Sequence, residues 1–345
     1  LSSVKAQRLI FLRSSKSEEV LLSFIPQLRK GLLSNYVTFQ KKGISIPVFK
    51  MNSMTYKLIF SIFFLWTALS ACSQAANTKD QDPKTPNPKP TEDTIKSFSF
   101  INPSGKTIET RFPAPPGFVR DSSSANSFTS YLRNLPLKPE GSPVLLYDGS
   151  QKGYQDGQCA VVNLPIGKKD LHQCADALMR LRAEYLWNQK RYDEIGFHLV
   201  SGFYTRYTPW MNGSRVSLQG GAHWVPTAAA SNTYNDFWKY MEFIFSYAST
   251  LSLAKEMKSI QPKEIAIGDV FIKGGAPGHC VIVIDLVRNP ETGEKKFLLA
   301  QSYMPAQEIQ VLRNPASEVM WYTALDGGNL ETPEWSFTWD QLKRF

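Results

Sequence analysis

Between Ala266 and Tyr303 the chain commits itself to a sheet. Three apolar runs, 266–272, 280–287 and 296–303, are joined by GGAPG and by RNPETGE. Runs of this length bounded by glycine and proline read as strands. The second joint, with Asn289, Pro290 and Gly293, predicts a hairpin. Upstream the period is helical. In DLHQCADALMRLRAEYLWNQKR, residues Leu171, Cys174, Leu178, Leu181 and Tyr185 recur at spacings of three and four, the stripe of a packed helix. Asp170 is expected as its N-cap, which sets Cys174 one turn inside. Beside that stripe, Gln173, Asp176, Arg180 and Glu184 form a polar one with two i,i+4 pairs, read first as a solvated face. A longer helix is expected over 235–258, a short one over 126–135, and further strands over 144–147 and 160–166. Helices followed by consecutive antiparallel strands define an α+β domain. Trp321, Trp335 and Trp339 in the tail are expected to pack back over the sheet.

The N-terminal quarter has a different character. Lys57 precedes fourteen uncharged residues, 58–71, which end in Leu69, Ser70 and Ala71 before Cys72. A cationic flank, a short apolar core and small residues before the cut mark an export signal. A cysteine directly after that site looks like a bacterial lipoprotein processing box, with Cys72 taking the lipid. A membrane-spanning helix needs about 20 apolar residues, which favours the signal over a span. Residues 1–50 are read as upstream leader, 51–71 as the signal peptide, 72–96 as the lipidated cysteine with a tether, and 97–345 as the globular domain. The tether carries Pro83, Pro86, Pro88 and Pro90, and such polar, proline-rich sequence stays extended. An outer-membrane lipoprotein facing the periplasm is the expected address, with the membrane as a partner through the N-terminal lipid.

Charge excludes one class of partner. Residues 1–50 hold nine Lys/Arg against Glu18 and Glu19, so the chain's net charge of +9 belongs mainly to the leader. The remainder is close to neutral, and nucleic acid is not an expected partner. After Cys72, the cysteines are Cys159, Cys174 and Cys280, an odd number that leaves at least one thiol free unless a partner supplies another. A Cys159–Cys174 bridge is compatible with the sequence but not fixed by it.

The phrase IAIGDVFIKGGAPGHCVIVIDL resembles NlpC-type and CHAP-type cell-wall peptidases over about 40 residues, 265–303. There Gly-Asp-Val opens one strand, and a glycine turn delivers Gly-His to the next. The resemblance implies a papain-like core of helices on an antiparallel sheet, here with N-terminal and C-terminal additions. It implies His279 as the base and Gln301 as the residue that orients it, with a cysteine on a helix as nucleophile. Hairpin pairing independently sets His279 across from residues 301–304, and Gln301 and Tyr303 share one strand face. A glutamine or phenol there fixes an imidazole tautomer.

Cys174 is the candidate nucleophile, upstream of the strands and near a helix N-terminus that favours thiolate. Against it, Cys174 completes the apolar stripe, where cysteine is commonly a small hydrophobe. Cys280 is expected on the opposite strand face from His279. If the polar stripe turns inward, Arg180 and Glu184 become candidates for binding a charged substrate, with Tyr303. No metal is expected: His172 and Cys174 lie about 200° apart round a helix, and His198 and His223 lack partners at ligand spacings. No cofactor is implied.

Further phrases, including GFVRDSSSANSFTSYLRNLPLKPEGSPVLLYDG, FLLAQSYMPAQEIQVL and TPEW, resemble a family of Bacteroidota lipoproteins known only as a domain of unknown function. That likeness implies an exported, lipid-anchored setting and assigns no catalytic residues. Taken together, an envelope cysteine amidase or peptidase acting on peptidoglycan peptides is expected. The alternatives are a non-catalytic cell-wall or glycan binding module, with Trp187, Tyr204, Tyr207, Trp210 and Trp224 stacking on sugars, and an envelope assembly partner.

Overall fold

A computed structural model describes residues 100–345, Asp326 excepted. The leader, the signal peptide, Cys72 and the tether lie outside the described residues. The helices are α1 (Ile108–Arg111), α2 (Phe128–Arg133), α3 (Cys174–Asn188), α4 (Tyr207–Met211), α5 (Tyr234–Tyr247) and α6 (Thr250–Glu256). The strands begin with β1 (Gln158–Val161), β2 (Gly196–His198), β3 (Tyr204–Arg206), β4 (Ser214–Ser217), β5 (His223–Pro226), β6 (Lys258–Ser259) and β7 (Val270–Lys273). They continue with β8 (His279–Arg288), β9 (Lys295–Gln301), β10 (Gln310–Leu312), β11 (Tyr322–Thr323), β12 (Asn329–Glu331), β13 (Ser336–Thr338) and β14 (Leu342–Arg344).

The main sheet runs β1-β10-β9-β8-β7-β14-β6, with β11 also pairing with β9, and its pairings are antiparallel. The domain is therefore α+β with an antiparallel sheet. Its centre is the β8–β9 hairpin through RNPETGE, where Arg288 pairs with Lys295. Asn289 Oδ1 accepts from the Glu291 and Thr292 amides and holds that turn. Nine of the ten β8 residues are buried, because the sheet is covered on both faces. Cys280, Ile282, Ile284 and Ala300 meet the helices. Val281, Val283, Phe297 and Leu299 meet Leu330, Phe337 and Trp339 from the C-terminal segment. Burying each aliphatic side chain contributes about 1.5–3 kcal/mol, so this double cover is the main source of stability. A bulge between Val283 and Asp285 resets the alternation.

The tail packs as the sequence predicts: Trp321 is buried in the helix-side core, and Trp335 and Trp339 pack in the opposite one. Three elements differ from expectation. Residues 144–147 form only isolated bridges, Leu145 with Gln151 and Leu146 with Gln307. The helix expected over 235–258 breaks at Ala248, and Ser249 caps a new one, with its side chain accepting from Leu251 N. The strand expected over 160–166 is β1, shifted towards the N-terminus. Among the described residues, no helix is long and apolar enough to cross a membrane.

Candidate functional site

Helix α3 starts at Cys174 itself, with Gln173 as N-cap. Asp176 accepts from the Gln173 amide at 3.0 Å, closing the first turn. Asp170 does not cap the helix; its Oδ1 accepts from Ala306 N at 2.7 Å and from Gln173 Nε2 at 3.2 Å. The expected position of Cys174 one turn inside is thus corrected to the first helical residue. Two further bonds tie the same entry segment to the loop after β9. Ser302 Oγ donates to His172 O at 2.9 Å, and Gln307 N donates to His172 O at 3.3 Å. These contacts bring the start of α3 to the end of β9, where Gln301 and Tyr303 stand.

His279 opens β8, opposite Lys273 on β7. Gly278 before it has no room for a side chain: a Cβ would lie 2.4 Å from Gly275 O and 2.5 Å from Thr250 Oγ1. Only glycine lets the GGAPG turn close against α6 and aim the histidine. The imidazole is buried, and its Nε2 lies 2.7 Å from Gln301 Oε1. Tyr303, Trp335 and Phe337 surround the ring, with centroids at 4.6, 5.4 and 5.9 Å. The expected pairing of His279 with Gln301 and Tyr303 is what the hairpin register produces.

The Cys174 side chain, partly exposed, neighbours both the Cys280 thiol and the His279 side chain, and both act on its titration. Its thiol is held well below the ordinary range, first by Cys280, then by His279 and the Ala175 amide, against the opposing effect of burial. Cys280 is driven the other way, first by burial and then by Cys174, so it stays protonated. Cys280 faces the helix side as its strand position predicts, in the same core against which Cys174 packs. Asp176 is also close; burial raises its carboxyl well above the usual range. With Nε2 engaged by Gln301, Nδ1 is the His279 nitrogen available to the sulfur. Cys159, Cys174 and Cys280 are all free thiols, so no Cys159–Cys174 bridge forms.

Arg180 and Glu184 are placed differently from either expectation. Both are buried and paired at 2.9 Å. Glu184 accepts from Tyr234 OH at 2.6 Å and from Tyr131 OH at 3.3 Å, while Arg180 lies over the Trp238 ring and 3.5 Å from His172 Nε2. This is neither a solvated face nor an open cleft: the two charges satisfy each other inside the helix layer. Burial and the neighbouring guanidinium push His172 down to about 3, so it is a neutral acceptor there.

Sequence reasoning missed Glu334 and Lys152, and gave Trp335 a packing role only. Glu334 Oε2 accepts from Gln301 Nε2 at 2.6 Å and pairs with Lys152 Nζ. Lys152 lies over the Tyr303 ring and Lys273 over Trp335. The phrase TPEW contains both Glu334 and Trp335, but nothing in its local pattern points to Gln301. The cleft lined by His198, Leu199, Ser252, Lys255 and Glu256 includes none of these residues. Among the described residues, no group of three or more His, Cys, Asp or Glu could hold a metal ion.

Fold and site together define an α+β domain in which a histidine hydrogen-bonded to a glutamine neighbours a cysteine at a helix start. Residues 108–344 match the family described as domain of unknown function (4846), and the chain belongs to that family. No curated protein and no solved structure matches it.

Proposed function

We propose that this protein is a lipid-anchored envelope cysteine amidase or peptidase with a papain-like core of the NlpC and CHAP kind. Its substrate is proposed to be the amide bonds of peptidoglycan peptides. The observation that carries the proposal is the His279–Gln301 hydrogen bond at the end of the hairpin, to which the start of α3 with Cys174 is tied through His172 and Ser302. Cys174 at the first turn of α3 has the helix N-terminus behind it and the His279 imidazole as a neighbour, both of which favour thiolate.

In this scheme the Cys174 sulfur attacks the amide carbonyl carbon. The proton held on His279 Nδ1 passes to the leaving nitrogen as the C–N bond breaks. Water, deprotonated by the same nitrogen, then attacks the thioester, releases the acid and returns the sulfur; an acceptor amine in place of water makes the reaction a transfer. The Cys174 backbone N–H, which as the first helical amide has no acceptor within the helix, is placed to stabilise the oxyanion. Gln301 accepts from Nε2–H and keeps Nδ1 toward the sulfur. Tyr303, against His279 and partly exposed, lines the acyl position.

The export signal, Cys72 and the proline-rich tether motivate the envelope address and its placement on the periplasmic side of a Bacteroidota outer membrane. Sugar stacking by the aromatic group is less well supported. Tyr207 and Trp210 belong to the core, and Trp187 packs against Tyr192, Tyr234 and Phe237.

The test is incubation of the purified full chain with peptidoglycan-derived stem peptides. Release of a new amine, together with an acyl adduct on the peptide containing Cys174, is the expected result. Intact peptides and an unmodified Cys174 at every stage of the incubation would contradict the proposal.

A further inference from the structure

The orientation of Gln301 is not fixed by His279 alone. A terminal amide can present either its oxygen or its NH2 to an imidazole nitrogen, and both arrangements can form a hydrogen bond. The choice is made on the far side of the amide. Glu334 stands in the turn between β12 and β13, which Thr332 closes by donating from N to Trp335 O at 2.8 Å and accepting from Trp335 N at 3.1 Å. Its Oε2 receives Gln301 Nε2 at 2.6 Å, with Lys152 Nζ and, at 3.5 Å, Gln310 Nε2 on the same oxygen. A carboxylate paired with an ammonium offers acceptors only, so the Gln301 NH2 must face it. The amide oxygen is left for His279 Nε2, which must then carry a hydrogen, and the lone pair of the neutral ring lies on Nδ1, the nitrogen left to serve Cys174.

We propose that Glu334 is a positioning residue that sets the histidine tautomer of the Cys174–His279 pair by holding the Gln301 amide in one orientation. This inference rests on the acyl-transfer reading of that pair. Without Glu334 the amide can turn over. Its NH2 then donates to Nε2, the ring hydrogen moves to Nδ1, and the nitrogen facing the sulfur can no longer take the thiol proton. The protonated ring is disfavoured as well, because two N–H groups would then meet at Nε2.

The sign of the effect separates positioning from simple electrostatics. The groups facing the pair are Cys280 and Asp176 from the sheet and helix, Tyr303 from the loop after β9, Lys152 and Glu334 beside Gln301, and Lys273, cross-strand from His279 with its ammonium over the Trp335 ring. Deleting the Glu334 charge and freeing the Lys152 ammonium would by Coulomb's law favour the thiolate and make Cys174 titrate lower. Loss of the tautomer makes it titrate higher.

The experiment uses the full chain and two variants, Glu334→Ala and Glu334→Gln. Nitrogen-15 spectra of labelled histidine read the His279 tautomer, and iodoacetamide labelling of the Cys174 peptide is followed against pH. Wild type should show the hydrogen on Nε2. Glu334→Ala should lose that single tautomer and move the labelling inflection up by about one pH unit. Glu334→Gln keeps a carbonyl acceptor in place and should move it less, which also serves if the alanine variant fails to fold. An inflection that moves down, or stays put with the tautomer unchanged, overturns the assignment. His279→Ala in parallel separates the two failures. If it moves the inflection and neither Glu334 variant does, only the role of Glu334 is lost; if it leaves the inflection at the wild-type value, the dyad itself is wrong and the positioning role falls with it.

Discussion

Cys174→Ala and His279→Ala should each reduce amide cleavage by about a thousandfold or more, and the double variant should be little worse than either alone. The near-equality follows from the geometry. The sulfur is nucleophilic only as thiolate, and the neighbouring imidazole is the group proposed to hold the proton the leaving group needs. Removing either therefore disables the same step, and their effects do not add. Gln301→Ala should be milder than either but still costly in turnover, since it removes the 2.7 Å contact that fixes the ring. KM should change little in all three while kcat falls, because none of them is placed to hold the substrate apart from the reacting carbonyl. Steady-state kinetics on a cleaved stem peptide check this. Additive losses, or full turnover by His279→Ala, would be incompatible with the proposed pair.

Asp285→Ala should destabilise the fold by roughly 3–5 kcal/mol, the range for leaving a buried charge without its partner. Asp285 is fully buried beside the β8 bulge and neutralises two guanidinium groups. Its Oδ1 accepts from Arg133 Nε at 2.8 Å and from Leu286 N at 2.9 Å, and its Oδ2 from Arg120 Nε at 2.9 Å. Arg133 also donates to Asp121 O and Leu286 O, and Arg120 to Phe112 O, so the carboxylate ties α2 and the N-terminal loop to the central strand. Without it, Arg133 stays buried and unpaired. Asp285→Asn keeps the shape and some acceptor capacity and should cost less than the alanine variant. Urea unfolding followed by tryptophan fluorescence should show the midpoint falling in that order with an unchanged slope. A midpoint within error of wild type for Asp285→Ala would mean that these arginines find water or other partners.

The hairpin was legible because its determinants are local. Asn289, Pro290 and Gly293 specify the turn, and strand alternation then places His279 near Gln301 and Tyr303. The helix start was misread for the opposite reason. Asp170 has the right chemistry for a cap, but its carboxylate is taken by Ala306, 136 residues away, and the cap passes to Gln173. That shift moves Cys174 from the interior of a turn to its first position. The Arg180 and Glu184 stripe has the spacing of a surface ion pair, and spacing alone does not reveal that Trp238, Tyr131 and Tyr234 cover it. Ser249 and Ser252 did carry a signal, since their capping arrangement ends the long helical run that apolar periodicity extends through them. Glu334 had none. It is a loop carboxylate 33 residues beyond Gln301, and only the folded C-terminal hairpin brings the two together.

The rate at which iodoacetamide labels Cys174, followed from pH 4 to pH 10 in the wild-type chain and in His279→Ala, tests the proposed chemistry most directly. An ordinary cysteine becomes reactive near pH 8.5. Contact with Cys280 and His279 should bring the wild-type inflection well below that, and loss of the imidazole should raise it. An inflection at the ordinary value in wild type, unchanged when His279 is removed, would show that sulfur and imidazole do not work as a pair.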